Sequence, residues 1–265
     1  MIEKTSYLTF AITPAAAPER PPMFRRRIAI RSKTKGVACH VRAALEDDFH
    51  HFRVEVVAID GHVAQILAEA PRRPYSLCSH AIAQLDVLLG MPLSPVAHAV
   101  TRMTDPTDQC THLFELAGLA IAAAARGIVR RQYDVEVPTR INGRTLPTLI
   151  RDGEALLAWE VQGTVIQSPA PYVGVNLNQG MARWALGTLA QDEAEAALVL
   201  RRCTGISKGR GINLDNQPHA QPNGHCFSQQ PQRASQAIRM VGSTWDFAQT
   251  AERLCADDQT WLEFK

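Results

Sequence analysis

The sequence predicts an α+β fold: an antiparallel β-meander packed by helices, then a second β-hairpin region and C-terminal helices. Two observations carry this prediction. Apolar residues alternate along residues 26–71 between turn signals, which is typical of half-buried strands. Helical spacing begins near residue 78, and the same change from alternating to helical spacing recurs after residue 167. Strands that come in runs, followed by helices, favour α+β over alternating α/β.

The meander is predicted from four short runs. RRIAIRS and VACHVRAALED are joined by a Lys-Gly turn, and HFRVEVVAID and HVAQILAEA are joined at Asp60-Gly61, a strong hairpin signal. Helical spacing follows in CSHAIAQLDVLLG, which Gly90 ends, and in CTHLFELAGLAIAAAARG, which ends at Gly127. These elements predict an α+β core domain over residues 25–127, preceded by a flexible, Pro- and Ala-rich leader at 1–24.

Residues 128–265 are predicted to form a second β and helical region that packs on the core domain and covers it. Strands are expected between 131 and 167, with a turn at Asp152-Gly153, and helices in GMARWALGTL, QDEAEAALVLRRC and SQAIRMVGSTWDFAQTAERLC. The polar stretch 204–231, rich in Gly, Asn, Gln and Pro, predicts a long ordered loop.

Composition excludes several classes of protein. Lys and Arg number 28 against 26 Asp and Glu, so the net charge of +2 gives no reason to expect nucleic-acid binding. Six cysteines without a C-x-x-C pair indicate a reducing compartment, and no stretch is apolar enough for a membrane span, so a cytoplasmic protein is expected. Neither a G-x-x-x-x-G-K-[ST] loop nor a strand-borne G-x-G-x-x-G is present, so NAD, flavin and ATP are not expected. The expected partner is a small-molecule substrate, with a homodimer as one assembly to consider.

The residues that point to chemistry lie at the ends of predicted elements. They are EDDFHH at 46–51, Cys78 before a helix, and Cys110 with His112 at the start of the next helix. Thiolate, imidazole and carboxylate form a sufficient ligand set for tetrahedral zinc. The predicted ligands of one divalent metal, zinc or iron, are therefore Cys78, Cys110, His112 and Asp48.

The same segments support an acid–base pocket without metal. Adjacent strand residues face opposite sides, so only one of His50 and His51 can face the pocket. His50 is two residues from Phe52, so the two side chains are expected on the same face of the strand, and His50 is preferred. Asp48, two residues before His50, is assigned to the same face. His50, His112 and Asp48 are thus the predicted catalytic groups, because the ordinary pKa of imidazole lies near neutrality.

Two further residues are candidates for substrate binding: Arg72 for an anionic group, and His225 from a loop folded over the pocket. Glu115, one turn beyond His112, is a candidate for orienting that imidazole. The competing interpretation is structural. Cysteine often serves as a small buried apolar residue, so Cys78 and Cys110 also fit an inert core.

Two resemblances follow from these motifs. The order of CSHAIAQLDVLLGMPLS and CTHLFELAGLAIAAA after paired strands, over residues 46–126, resembles the iron–sulfur scaffold proteins of the NifU N-terminal type. Cys78 matches the middle cysteine of that family, Cys110 and His112 match its His-Cys pair in reversed order, and its first cysteine has no counterpart here. That resemblance implies cluster or metal handling.

Residues 25–127, with CTHLFEL at their centre, resemble more closely an uncharacterised bacterial domain family with a Cys-Thr-His-Leu motif. Some proteins of that kind are encoded among genes for the breakdown of aromatic or other unusual carbon sources, which implies a catabolic enzyme. The leading hypothesis is a small-molecule catabolic enzyme, a lyase or hydrolase that uses a Cys/His/Asp metal or acid–base pocket on a small substrate, with aromatic compounds as one candidate class. The alternative is a non-catalytic metal or iron–sulfur handling protein.

Overall fold

The computed structural model describes residues 22–265. Residues 1–21 of the predicted leader lie outside the described residues, and the first strand already begins at Met23. Ten strands are present in this part of the chain: β1 (Met23–Lys35), β2 (Ala38–Asp47), β3 (His51–Ile59), β4 (His62–Arg72), β5 (Arg130–Pro138), β6 (Arg144–Thr145), β7 (Thr148–Arg151), β8 (Glu154–Ala158), β9 (Glu160–Gln162) and β10 (Val165–Ser168).

Seven of these strands form one antiparallel sheet in the order β4-β3-β2-β1-β5-β7-β8, and β10-β9-β6 form a second, small sheet. The predicted meander is therefore confirmed, and three strands of the second β region extend the same sheet beyond β1. The turn between β3 and β4 has Asp60 at φ 49° and Gly61 at φ 74°, the left-handed pair that a two-residue hairpin loop needs.

Five α-helices accompany the sheet in the described chain: α1 (Thr111–Arg126), α2 (Met181–Thr188), α3 (Gln191–Ile206), α4 (Pro231–Ala234) and α5 (Gln259–Leu262). The segment that carries Cys78 forms a long 3₁₀ helix, Ser76–Leu88, rather than an α-helix. Helix α1 ends as predicted at Gly127, whose φ of 64° is the left-handed C-terminal cap. No helix among residues 22–265 is long and apolar enough to cross a membrane.

The C-terminal helix predicted for residues 235–255 is wrong for most of its length. Backbone groups of this segment pair with distant loops instead of with each other: Ser76 N–H donates to Ile238, Met240 N–H to Pro74, and Trp245 N–H to Asp48. These hydrogen bonds to distant parts of the same chain use the backbone donors and acceptors that a helix would need. The segment therefore runs along the core without regular secondary structure.

The two faces of the large sheet have different covers. Helix α1 packs across β2 and β3, where its Leu113 and Leu116 meet residues such as Phe52 in the main core. On the opposite face, Ala29 and Ala44 lie under Cys255 and Leu262 from the end of the chain. Since side chains alternate along a strand, neighbouring residues of β2 and β3 point into two different environments.

Candidate functional site: two buried histidines beside Asp47

A tight turn joins β2 to β3 and places a carboxylate beside an imidazole. Oδ1 of Asp47 accepts the backbone N–H groups of Phe49 and His50 at 2.7 and 2.8 Å, and Nδ1 of His50 lies 3.0 Å from the same oxygen. The backbone N–H of Asp47 in turn donates to the carbonyl of His50 at 2.8 Å. Because Asp47 closes the turn through both its main chain and its side chain, the position of the His50 ring is fixed.

Arg26 holds the other oxygen of this carboxylate. It lies directly opposite Asp47 in the β1–β2 register, and its Nε donates to Oδ2 at 2.9 Å while Nη2 also contacts that oxygen. Both side chains are completely buried. Burial opposes ionisation of Asp47, but Arg26 and His50 outweigh it and hold the pKa of this carboxyl well below its ordinary value.

His112 reaches the same place from the first turn of α1. Its ring stacks on that of His50, with ring centroids 3.8 Å apart and planes inclined by 29°, and Phe52 lies beside both rings. The Nε2 atom of His112 is buried and has no hydrogen-bond partner. An imidazole nitrogen left unpaired in the interior is costly, by about 1–3 kcal/mol, and it is one of several buried polar atoms without a partner, among them Nη1 of Arg26 and Nε1 of Trp159.

Both imidazoles are held in the neutral form. Burial lowers the pKa of His50 despite the opposing influence of Asp47. Burial, and next to it His50 and Arg26, lower the pKa of His112 well below 6.5. Since the ionised Asp47 can only accept, Nδ1 of His50 carries the proton and its lone pair lies on Nε2. The cluster therefore offers one oriented base and a second neutral imidazole.

Asp48 lies elsewhere, which corrects its predicted assignment to the His50 side. Strand β2 ends at Asp47 and the turn interrupts the alternation on which that assignment rested. The Asp48 carboxylate pairs with Arg210, which also contacts Asp246. Burial raises the pKa of Asp48 to about 7 even beside this arginine. The carboxylate next to His50 is Asp47.

The predicted metal ligands do not form one group. In the described part of the chain, two groups of Asp, Glu, His or Cys residues bring three possible ligand atoms within 4.8 Å of one another. Neither group contains Cys78, Cys110 or Asp48. Sγ of Cys78 lies 3.4 Å from Oγ of Ser228. Cys110 occupies the N-cap position of α1, without a capping hydrogen bond from its side chain. Burial together with the nearby thiols of Cys78 and Cys226 raises the pKa of Cys110. The two cysteines therefore sit near a third thiol, with His112 turned toward His50 instead.

The two residues predicted to bind substrate are placed differently. Arg72 is buried and donates hydrogen bonds to four backbone carbonyls, including those of Asp47 and His50, and to the Glu46 carboxylate. Its guanidinium is thus committed to holding the turn and the adjoining segment at Ser243. His225 is exposed on its loop, where its backbone N–H donates to Asn223.

A second cluster lies on the other face of the sheet. His51 Nε2 is 3.0 Å from both oxygens of Asp258, and its Nδ1 is 3.8 Å from Glu46. Arg53 also binds Asp258, and the Cys255 N–H donates to Glu46. Every polar group here has a partner within the protein, so this cluster fastens the end of the chain to the sheet.

Glu115 connects the buried histidines to an open cavity. Its Oε2 is 3.6 Å from Nη1 of Arg26 and 3.0 Å from Nε of Arg202, so it does not orient His112 as predicted. The same carboxylate, with Thr111 and Phe114, lines a cavity of about 320 Å³ between α1, α2 and α3. Arg26 thus bridges the carboxylate of the cavity and that of the histidine cluster.

A metal ion fits this cluster only through its imidazoles. Asp47, His50 and His112 place one ligand atom each within 4.8 Å of one another, and two histidines with a carboxylate are the ligand set of many mononuclear iron sites. Both oxygens of Asp47, however, already accept hydrogen bonds from Arg26, Phe49 and His50. Asp47 therefore suits the role of orienting a ligand histidine better than that of a ligand.

Sequence reasoning missed Asp47 and Arg26, although a signal for both was present. With the β1–β2 turn at the Lys-Gly pair, the antiparallel register places residue 26 opposite residue 47. An arginine and an aspartate directly opposite each other on strands that face the core form a buried ion pair. The signal would have required fixing the register before choosing between Asp47 and Asp48.

Two comparisons with known proteins were made. A search of curated proteins found no match. Residues 29–126 match the family model described as Protein of unknown function (DUF2889), which agrees with the resemblance of residues 25–127 to a domain family of unknown function.

Proposed function

We propose that the protein is a small-molecule enzyme, a lyase or hydrolase that uses acid–base chemistry and no nucleotide cofactor. The observation that carries this proposal is the buried pair of imidazoles, one oriented by an ionised carboxylate and the other with an unpartnered nitrogen. Asp47 fixes the proton of His50 on Nδ1, which leaves Nε2 as a base, in the manner of a carboxylate–histidine dyad.

The surroundings support this role over a structural one. A core that needed only volume at positions 50 and 112 would be cheaper with apolar side chains, since burying imidazoles costs desolvation. Asp47 and Arg26 add a buried charge pair, in which Asp47 holds the turn and the His50 ring and Arg26 also contacts Glu115. Buried charges and desolvated titratable groups of this kind concentrate at functional sites, because they preorganise reacting groups.

The substrate would occupy the cavity beside α1, and Glu115 is the group of the network that faces it. Glu115 lies between the guanidinium groups of Arg26 and Arg202, so a carboxylate is available there to accept or return a proton. We assign Glu115 to contact with the substrate, and His50 and His112 to the buried end of the same row of charged groups, in which Arg26 lies between Glu115 and Asp47. A cytoplasmic location fits the free cysteines of the chain.

The proposal is tested by proton exchange and turnover. Mixtures of small carboxylic acids, hydroxy acids and esters are incubated with the protein in D₂O and followed by NMR. We expect C–H exchange or conversion of at least one compound, and a loss of at least about 100-fold in Glu115→Gln and His50→Gln. His62→Gln, at an exposed hairpin turn, is the matched control. Activity that survives in both site variants would remove this network from the chemistry.

The second candidate is a metal-handling protein. It is favoured by the stacked imidazoles, whose neutral rings include one nitrogen with no protein partner. Metal analysis and an absorption spectrum of freshly purified protein distinguish the two functions. Zinc or iron that disappears in a His50→Gln, His112→Gln double variant would favour metal binding at this cluster. Sulfide together with iron would instead support iron–sulfur handling.

A further inference from the structure

The cavity beside α1 has an apolar body. Phe114 and Leu119 come from α1, Val100 from the 3₁₀ helix Ala97–Arg102, and Leu198 and Val199 from α3. Its volume, about 320 Å³, is at the lower end of the ~300–1,000 Å³ that ligand pockets span. A ligand of matching shape is therefore small and mostly apolar.

The wall of this cavity depends on a close approach of two elements. A Cβ added at Gly118 would lie 2.4 Å from the carbonyl oxygen of Ala97, so only glycine allows the 3₁₀ helix to pack this tightly on α1. The packing places His98 and Val100 in the lining of the cavity. The cavity is thus built into the fold by a specific residue, rather than left over between loosely packed helices.

One end of the cavity is strongly polar. His98, Glu115, Arg201 and Arg202 all line it, and they lie close enough to affect one another's charge. Burial, together with Arg202 and Arg201, lowers the pKa of His98, which indicates a positive environment. Glu115 contacts Arg202 and Arg26, and Arg26 in turn is neutralised by Asp47.

Arg201 forms no close ion pair within the described residues. Its Nε donates to the backbone carbonyl of Leu177, no carboxylate among residues 22–265 lies within ion-pair distance of its guanidinium, and Glu115 acts on it only at longer range. Glu195, the other carboxylate of the cavity, is already paired with Arg126 and Tyr133 and lies six residues earlier on α3, about 9 Å along the helix. A half-buried guanidinium without a partner acid is a binding site for an anion.

We infer that the cavity binds a small carboxylate whose charged group pairs with Arg201 and whose aromatic ring or short acyl chain packs against Phe114, Leu119 and Leu198. This inference names the ligand class and rests on the proposed function only where it calls that ligand a substrate. A carboxylate fits because guanidinium binds it through two parallel hydrogen bonds. A cationic ligand is disfavoured by both arginines.

The test is calorimetric titration of the full chain with 2-naphthoate, and with 2-naphthol as an uncharged ligand of the same shape. We expect naphthoate to bind, and Arg201→Gln to weaken its binding at least tenfold while leaving the weaker binding of naphthol within twofold. Arg201→Lys should keep most of the affinity, since it keeps the charge. Arg183→Gln, an exposed arginine on α2, is the matched control and should bind as the wild type does.

Three outcomes would overturn the inference: no binding of naphthoate to folded wild-type protein, equal affinities for naphthoate and naphthol, or unchanged naphthoate binding in Arg201→Gln. These binding results test the ligand class separately from the proposed enzymatic activity. Binding of naphthoate without turnover of any compound in the D₂O screen would keep the ligand class and remove the enzyme. Turnover of an uncharged compound without carboxylate binding would do the reverse.

Discussion

Two histidine clusters lie back to back on the same pair of strands, and they are built in opposite ways. On one face, Asp47, His50 and His112 lie under α1, with one imidazole nitrogen unpartnered. On the other face, His51 lies between Glu46 and Asp258. The first cluster keeps an unpartnered imidazole nitrogen in the interior, whereas in the second His51 and Arg53 both bind Asp258 and so fasten the end of the chain.

This difference distinguishes the first cluster, a candidate functional site, from the second cluster, which has a structural role although its residue types are nearly the same. Each cluster has an acid from the end of β2, a histidine at or just before the start of β3, and an arginine. What differs is the third partner. A helix brings His112 to the first cluster without satisfying it, and the C-terminal segment brings Asp258 to the second and satisfies it fully. Composition alone therefore does not identify a site, and the unpartnered nitrogen of His112 is the feature that distinguishes the first cluster from the second.

The largest expected effect tests how strongly the first cluster is held. Arg26→Met removes the main partner of Asp47 and leaves a buried carboxylate uncompensated, so the free energy of unfolding should fall by about 3–5 kcal/mol. Urea denaturation at pH 7 measures this change. Arg183→Met, on the surface of α2, should stay within about 0.5 kcal/mol of the wild type. A loss below about 1 kcal/mol would show that Arg26 does not hold Asp47.

A smaller effect is expected at the second cluster. Asp258→Ala leaves His51 and Arg53 without their shared acceptor, but Arg53 keeps Glu69 and is partly exposed, so we expect a loss of about 1–3 kcal/mol. Hydrogen exchange should rise mainly in residues 246–265, which this contact fastens. Asp257→Ala changes an exposed neighbour and serves as the control. A loss as large as that of Arg26→Met would make the two clusters equivalent and end the comparison.

The smallest expected effect is on the pH dependence of stability. Burial holds the pKa of His112 well below the 6.5 of an unfolded chain. The unfolded chain therefore binds a proton first as pH falls, so the contribution of His112 is fully present above about pH 6.5 and decreases at lower pH. Asp48 acts in the opposite sense, because its pKa, raised to about 7, removes stability as pH rises from about 3.8 to 7.

A comparison of the wild type with His112→Asn separates the pH-dependent contribution of His112 to stability from that of Asp48, because both proteins keep Asp48. Between pH 7 and pH 5, with a chelator present, the wild type should lose more unfolding free energy than the variant. His62→Asn should keep the wild-type slope, since it changes an exposed histidine. Equal slopes for wild type and His112→Asn would mean that His112 is not kept neutral by its surroundings.

Much of the fold was predictable because its signals are local. The alternation of apolar residues predicted β2 and β3, the Asp60-Gly61 turn predicted that β4 pairs with β3, and Gly127 predicted the end of α1. The candidate histidines were predictable for the same reason, since parity separates His50 from His51. The failures came where a turn interrupts a periodicity, as between Asp47 and Asp48, or where backbone groups pair across the chain, as in residues 235–255.

The sequence by itself determined the α+β class, the paired strands, the helix that carries His112, and the residue types available for chemistry. Only the tertiary structure decided which of them meet: His50 stacks on His112 and Asp47 pairs with Arg26, while Arg201 forms no close ion pair with any described residue. The physical reason is range. Periodicity and turn chemistry act over a few residues, whereas burial, register and charge compensation depend on segments that are far apart in the chain.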